Sequence, residues 1–330
     1  MSRTVVVTGA SAGVGRAAAV AFASRGDRVG LLARGRAGLD GALADVEAAG
    51  GTGVTVQTDV ADADAVERAA AEVEERIGPI DVWVNNAMAT VFAPLREITA
   101  EEFRRSTEVT YLGTVHGTMA ALRRMREQGS GTIVQVGSAL AYRGIPLQSP
   151  YCGAKHAIQG FTEAVRCELL HERSPVHLTM VQMPALNTPQ FGWSRNKMGK
   201  RPQPVPPIFQ PEVAARAIVW ASEHHRKEVY VGRSTVLAIV GDKLASAAAD
   251  RYLARTGYSA QLTSEPDENG RPDNLLEPVD AERDNGMHGR FDAAASDGDP
   301  ETWFVTHRHL ATAAAAGAGV AAATWLARRR

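Results

Sequence analysis

Apolar runs and helix-compatible stretches alternate along the chain as far as about residue 231. Val5–Thr8 is a short β-branched run that stops at Gly9, which predicts a buried strand. Val14–Ser24 is alanine-rich and free of breakers, so it predicts a helix. The alternation continues with a strand at Arg28–Ala33, a helix over Arg36–Ala49 closed by Gly50 and Gly51, a strand at Val54–Thr58, and a helix over Asp62–Ile77 closed by Gly78 and Pro79. Strand Ile80–Asn85, a long helical stretch Glu101–Gln128, strand Thr132–Gly137 and helix Pro150–Arg173 follow. Strand Val176–Gln182, helix Pro211–Glu223 and a short last strand Glu228–Val231 complete the series.

Parallel neighbours need crossovers, and the intervening helices supply them with right-handed connections. The strands are solidly apolar rather than alternating, as expected when helices cover both faces of a sheet. The pattern predicts an α/β fold with a doubly wound parallel sheet, its ligand at the carboxyl ends of the strands. Residues 1–260 are expected to form this doubly wound domain. Residues 261–305 mix Glu, Asp, Asn, Gly and Pro with few aliphatics and predict a polar, disordered linker.

Residues 306–330 form an alanine- and glycine-rich C-terminal helix in this reading. Leu310–Ala327 has no charged residue, and Arg328, Arg329 and Arg330 follow it. Its length is near the lower limit for a span, and Ala313, Gly317 and Ala321 make a small-residue face. Two readings stay open: a membrane anchor, or a soluble helix that packs in a dimer.

Among the 330 residues, Lys plus Arg number 36 and Asp plus Glu 37. No global field favours nucleic acid, and no zinc-finger or basic-helix pattern is present. The two cysteines, Cys152 and Cys167, make no disulfide framework, which fits a cytoplasmic protein. The nine histidines show no metal spacing.

Thr8-Gly9-Ala10-Ser11-Ala12-Gly13-Val14-Gly15 follows the first strand and opens the first helix. Gly9 allows a tight exit, Gly13 lets backbone approach a pyrophosphate, and Gly15 lets the helix sit close to the sheet. Backbone N–H groups of Ser11, Ala12, Gly13 and Val14 then point at the phosphates. The second strand closes on Ala33-Arg34, where an acid would accept from an adenosine ribose 2′-hydroxyl. The acid is missing and a guanidinium stands beside its place, which favours NADP(H) over NAD(H). The plainer alternative is a solvated arginine at a strand end.

Ser138 follows the fifth strand, and Tyr151 and Lys155 share one face at the start of the next helix. A lysine cation near a phenol is expected to lower its pKa and ready it for proton exchange. Together with Asp59-Val60, Asn85-Asn86-Ala87, Pro184 and Thr188, these pieces resemble the short-chain dehydrogenase/reductase (SDR) family over about residues 1–235. The resemblance implies a Rossmann sheet of seven strands in the order 3-2-1-4-5-6-7 and a dimer or tetramer. It implies that Tyr151 is the general acid/base, that Lys155 holds the ribose, and that Ser138 positions a carbonyl. It further implies that Asp59 and Val60 meet the adenine, that Asn86, Ala87 and Pro184 lie along the cofactor, and that Thr188 binds the carboxamide. Asp59 also reads as a helix-preceding cap.

Three positions depart from the family pattern: Met88 and Ala185 replace glycines, and Thr110 aligns with the asparagine of the catalytic tetrad. Asn187–Gln210 is long, proline-rich and carries Phe191 and Trp193. With Gln148 these are expected to line an apolar substrate pocket, the alternative being a plain surface loop. The function expected is hydride transfer between a nicotinamide and a bulky apolar carbonyl or alcohol. The rival is an NADP-binding regulatory or scaffold protein.

Overall fold

The computed structural model describes residues 2–298 except 269, together with residue 302. Seven of the apolar runs become parallel strands: β1 Thr4–Thr8, β2 Arg28–Ala33, β3 Thr52–Gln57, β4 Val82–Asn85, β5 Gly131–Val136, β6 Val176–Gln182 and β7 Glu228–Tyr230. They pair in the order β3-β2-β1-β4-β5-β6-β7, so the sequence reverses direction between β1 and β4. A ligand crevice opens at such a reversal.

Both faces of the sheet are dry. Val5 and Val7 face α1 (Gly13–Ala23), α2 (Arg36–Ala48) and α7 (Pro211–Glu223), whereas Val6 faces α3 (Ala63–Ile77) and α5 (Gly113–Gln128). All three valines are fully buried, which is why the strand reads as a continuous apolar run.

The expected long helix over 101–128 is interrupted. α4 (Ala100–Thr107) starts at a capping box of Thr99 and Glu102. A π turn at Glu108–Leu112 joins it to α5. α6 (Ser149–His171) carries Pro150 in its first turn, where a missing N–H costs nothing.

Two features beyond β7 differ from the reading of the sequence. α8 (Arg233–Ala260) is a 28-residue helix kinked at Ala245. Beyond it, residues 262–298 lie on the body as a strap instead of forming a free linker. Leu262–Pro266 pairs antiparallel with Lys200–Pro202, and Ala295–Ser296 pairs parallel with Ile208–Phe209. Leu275 is fully buried in the core beside Val60 and Val109. Ion pairs Arg16–Asp284 at 2.6 Å and Arg195–Asp273 at 2.9 Å pin the polar stretches between. Few aliphatics suffice because the strap satisfies its polar groups on the body rather than building a core of its own.

Among the described residues, no helix is long and apolar enough to cross a membrane. The expected C-terminal helix over 306–330 lies outside the described residues.

Candidate active site

A cavity of about 510 Å³ opens at the carboxyl ends of β1, β2, β4 and β5. Gly9, Ser11, Ala12, Gly13 and Val14 form its floor. Gly9 and Gly13 have φ of 65° and 53°, which favours glycine at both positions. Gly15 does not line the cavity; a Cβ there would collide with the Gly9 carbonyl oxygen. Its role is the close approach of α1 to the turn. Asn86 braces the same turn, its Nδ2 donating to the carbonyl of Thr8 at 2.9 Å, while the Ala87 N–H donates to Thr8 Oγ1 at 3.1 Å.

Ser138, Tyr151 and Lys155 meet on one wall of this cavity. The Ser138 hydroxyl accepts from the Leu140 N–H at 3.1 Å and lies near enough to the Tyr151 phenol to favour its ionised form. Lys155 is buried; its Nζ lies 5.5 Å from the Tyr151 ring centroid and donates to the Val136 carbonyl at 2.6 Å. The expected lowering of the tyrosine pKa is not what this geometry gives. Burial pushes the Tyr151 phenol up to about 12, and the Ser138 hydroxyl offsets only part of that. Burial also pushes Lys155 down to about 8. Desolvation is the largest influence on both groups.

Thr110 is fully buried and does not line the cavity. Its Oγ1 accepts from the Ala89 N–H at 3.0 Å and donates to the Ala89 carbonyl at 3.1 Å. It braces the chain after β4, and it is not among the residues that line the cavity. Neighbouring Val109 lines the cavity instead, as do Met88, Val60 and Asp59. Burial favours the neutral form of Asp59, but the Arg105 guanidinium at 2.5 Å and the Ala61 N–H hold its pKa below the usual range. Pro184 and Thr188 complete the far wall. Thr188 Oγ1 is buried with no hydrogen-bond partner among the described residues, which suits a ligand amide.

Gln148, Phe191 and Trp193 all line the cavity. Phe191 sits between Phe92 and Phe291, with centroids 6.1 and 5.9 Å away. Gln148 Nε2 donates to Gln261 Oε1 at 2.7 Å, so it ties the cavity mouth to the end of α8.

A short-chain dehydrogenase family model matches residues 3–198, which covers the glycine turn, Ser138, Tyr151, Lys155 and Thr188. The chain belongs to the short-chain dehydrogenase family. Among its relatives is the uncharacterized oxidoreductase YxnA of Bacillus subtilis, 31% identical over 87% of this chain and 80% of the relative. An overlap that long takes in part of the strap as well as the sheet. The levodione reductase of Leifsonia aquatica is 34% identical over 57% of this chain and 70% of the relative. In structure, this dehydrogenase is similar to the alcohol dehydrogenase of Thermococcus sibiricus complexed with 5-hydroxy-NADP. That match has a TM-score of 0.60 and 27% identity, covering 70% of this chain and 96% of the other. A short-chain dehydrogenase from Streptomyces avermitilis gives a TM-score of 0.65 at 26% identity, covering 78% and 99%.

Sequence reasoning missed two groups of residues in this dehydrogenase. Gln182 Oε1 accepts from the Ser138 N–H at 2.8 Å, and its Nε2 donates to Glu228 at 3.2 Å. Glu228 also accepts from Tyr142 and Tyr230, each at 2.6 Å. Burial favours its neutral form, but the bonds from Tyr142, Tyr230, Gln159 and Gln182 hold its pKa below the usual range. This network fixes where Ser138 stands. The second group lies on the strap, where Asn274, Pro278, Val279 and Asp280 line the dinucleotide end of the cavity. Arg34 lines it too, but its guanidinium already donates to the carbonyls of Leu276, at 2.7 Å, and Asn274. Two of the guanidinium N–H groups expected for a 2′-phosphate are thus given to the strap.

Proposed function

We propose that this protein reduces a bulky, apolar carbonyl compound to the alcohol, or runs the reverse, using a nicotinamide dinucleotide. The observation that carries the reading is the joint position of Ser138, Tyr151, the glycine turn and the buried Thr188 hydroxyl around one cavity. The residues present fit the dinucleotide: the turn has no Cβ in the way of a pyrophosphate, and Thr188 offers a hydroxyl to a carboxamide. When bound, the nicotinamide supplies or accepts the hydride.

The remaining chemistry belongs to the chain. Ser138 donates to the substrate oxygen and holds it near Tyr151. Tyr151 passes a proton between its phenol and that oxygen. Lys155 stabilises the phenolate left behind and has its cation beside the ring to do so. Trp193, Phe191, Leu140 and Ile145 make the substrate end apolar.

The sequence favours NADP(H) because of Arg34; the occupied Arg34 and the nearby Asp280 favour NAD(H). A homo-oligomer, dimer or tetramer, accords with exposed Met119 on α5 and Leu170 on α6. The scaffold reading rests on Thr110, Met88 and the C-terminal tail; Thr110 is not among the residues that line the cavity, and the tail lies outside the described residues.

A panel of carbonyl compounds assayed by nicotinamide absorbance tests the proposal. Turnover of aryl or long-chain ketones, cut by about a thousandfold in Tyr151→Phe, is the expected result. Activity confined to small polar sugars or hydroxy acids contradicts the substrate class.

A further inference from the structure

The end of β2 lacks the carboxylate that would accept from an adenosine ribose hydroxyl, since Ala33 stands there. The strap brings one in from 247 residues further along the chain, as Asp280. Its backbone is fixed by the helix it caps. Gly35, the residue before α2, has no side chain to satisfy the helix's first N–H groups. The strap does it instead: the Gly38 N–H donates to the Asp280 carbonyl at 3.0 Å, and the Ala37 N–H to the Ala281 carbonyl at 3.2 Å.

The carboxylate is then wedged against Gly35 and Gly38. A Cβ on Gly35 would collide with Asp280 Oδ1, and one on Gly38 with Oδ2. Asp280 is 8% exposed, lines the cavity, and its carboxylate has no hydrogen-bond partner among the described residues. It stands between the glycine turn and the start of α2, the place where the adenosine ribose of a dinucleotide lies in such folds. The cations nearby are engaged elsewhere. Arg34 holds the Asn274 and Leu276 carbonyls, and Arg105 holds Asp59 and the Leu275 carbonyl.

We propose that Asp280, delivered by the C-terminal strap, is the residue that selects the dinucleotide. Its carboxylate accepts a hydrogen bond from the ribose 2′-hydroxyl and repels a 2′-phosphate, so the strapped enzyme takes NAD(H). This rests on the dehydrogenase reading of the cavity. It departs from the preference that Arg34 suggests, because Arg34 is already bonded to the strap.

The test is a fluorescence titration of the full-length protein with NADH and with NADPH, needing no substrate. The wild type is expected to bind NADH about tenfold or more tightly than NADPH, since like charges placed together at a binding site are costly. Asp280→Asn, which keeps the shape and removes the charge, should shrink that ratio about tenfold or more. Asp280→Ser should do the same, and a circular-dichroism melt of each variant reports whether the fold is kept. Tighter NADPH binding by the wild type overturns the proposal, as does a ratio left unchanged in both folded variants. Failure of both dinucleotides to bind the wild type overturns the dehydrogenase reading itself. Binding of both with equal affinity overturns only the role of Asp280.

Discussion

The two ends of the described chain build the same cavity by different means. The glycine turn between β1 and α1 belongs to the sheet. The three valines of β1 that precede it are fully buried, and its backbone is held by the packing of α1 and by Asn86. The strap at 262–298 has no core of its own. It is held by Leu275 inserted into the body, by ion pairs such as Arg16–Asp284, and by backbone carbonyls that accept from Arg34, Gly38 and Arg105. One region supplies geometry that the fold itself makes. The other borrows its order from the surface it covers, and contributes a wall that is easier to remove.

That contrast has measurable consequences. Gly15→Ala should be the most damaging, because a Cβ there meets the Gly9 carbonyl with no side chain to move aside. The expected loss is about 4 kcal/mol or more in urea unfolding, with dinucleotide binding abolished. A variant that folds and binds normally breaks the account of the turn. Leu275→Ala should cost about 3 kcal/mol, typical for emptying a buried leucine site. It should expose the strap to limited proteolysis while leaving the sheet folded. Equal protease resistance of variant and wild type would mean the strap is not anchored there.

A pH titration probes the buried pair between the two regions. Lys155 has its pKa lowered from 10.5 to about 8, so the folded state binds fewer protons than the unfolded one between those values. Stability should therefore rise with pH from about 8 to 10 by at most about 3 kcal/mol. Above 10 the raised pKa of Tyr151 works in the opposite sense, because the unfolded phenol ionises first. Lys155→Met should remove the rise; an unchanged slope would put the lysine in water. The smallest effect is expected from Thr110→Val, which leaves the Ala89 N–H without its partner. About 1 kcal/mol of stability should go, with kcat lowered only modestly. A collapse of kcat with stability unchanged would place Thr110 among the reacting groups.

The sheet and the glycine turn were legible because each demands a residue type at a fixed spacing. β-branched runs report strands buried on both faces, and Gly9, Gly13 and Gly15 report a turn where side chains do not fit. Tyr151 and Lys155 were legible from helical spacing and family pattern. The direction of the tyrosine pKa was not, because it depends on burial that spacing does not reveal. The strap escaped for a different reason. Its anchors at Asn274, Leu276, Ala281 and Gly286 act through backbone carbonyls, which every residue carries. No side-chain periodicity reports such contacts. The brace from Glu228 through Gln182 to Ser138 was missed similarly, since its members come from different strands.

The central claim is hydride transfer in a cavity where Tyr151 supplies the proton. Its most direct test offers the full-length protein a reduced dinucleotide deuterated at the transferable position, with an apolar ketone, and weighs the alcohol formed. The account predicts one deuterium on the carbinol carbon with wild type, and almost no alcohol from Tyr151→Phe although the dinucleotide still binds. Unlabelled alcohol, or an equal rate of labelled alcohol from Tyr151→Phe, would contradict it.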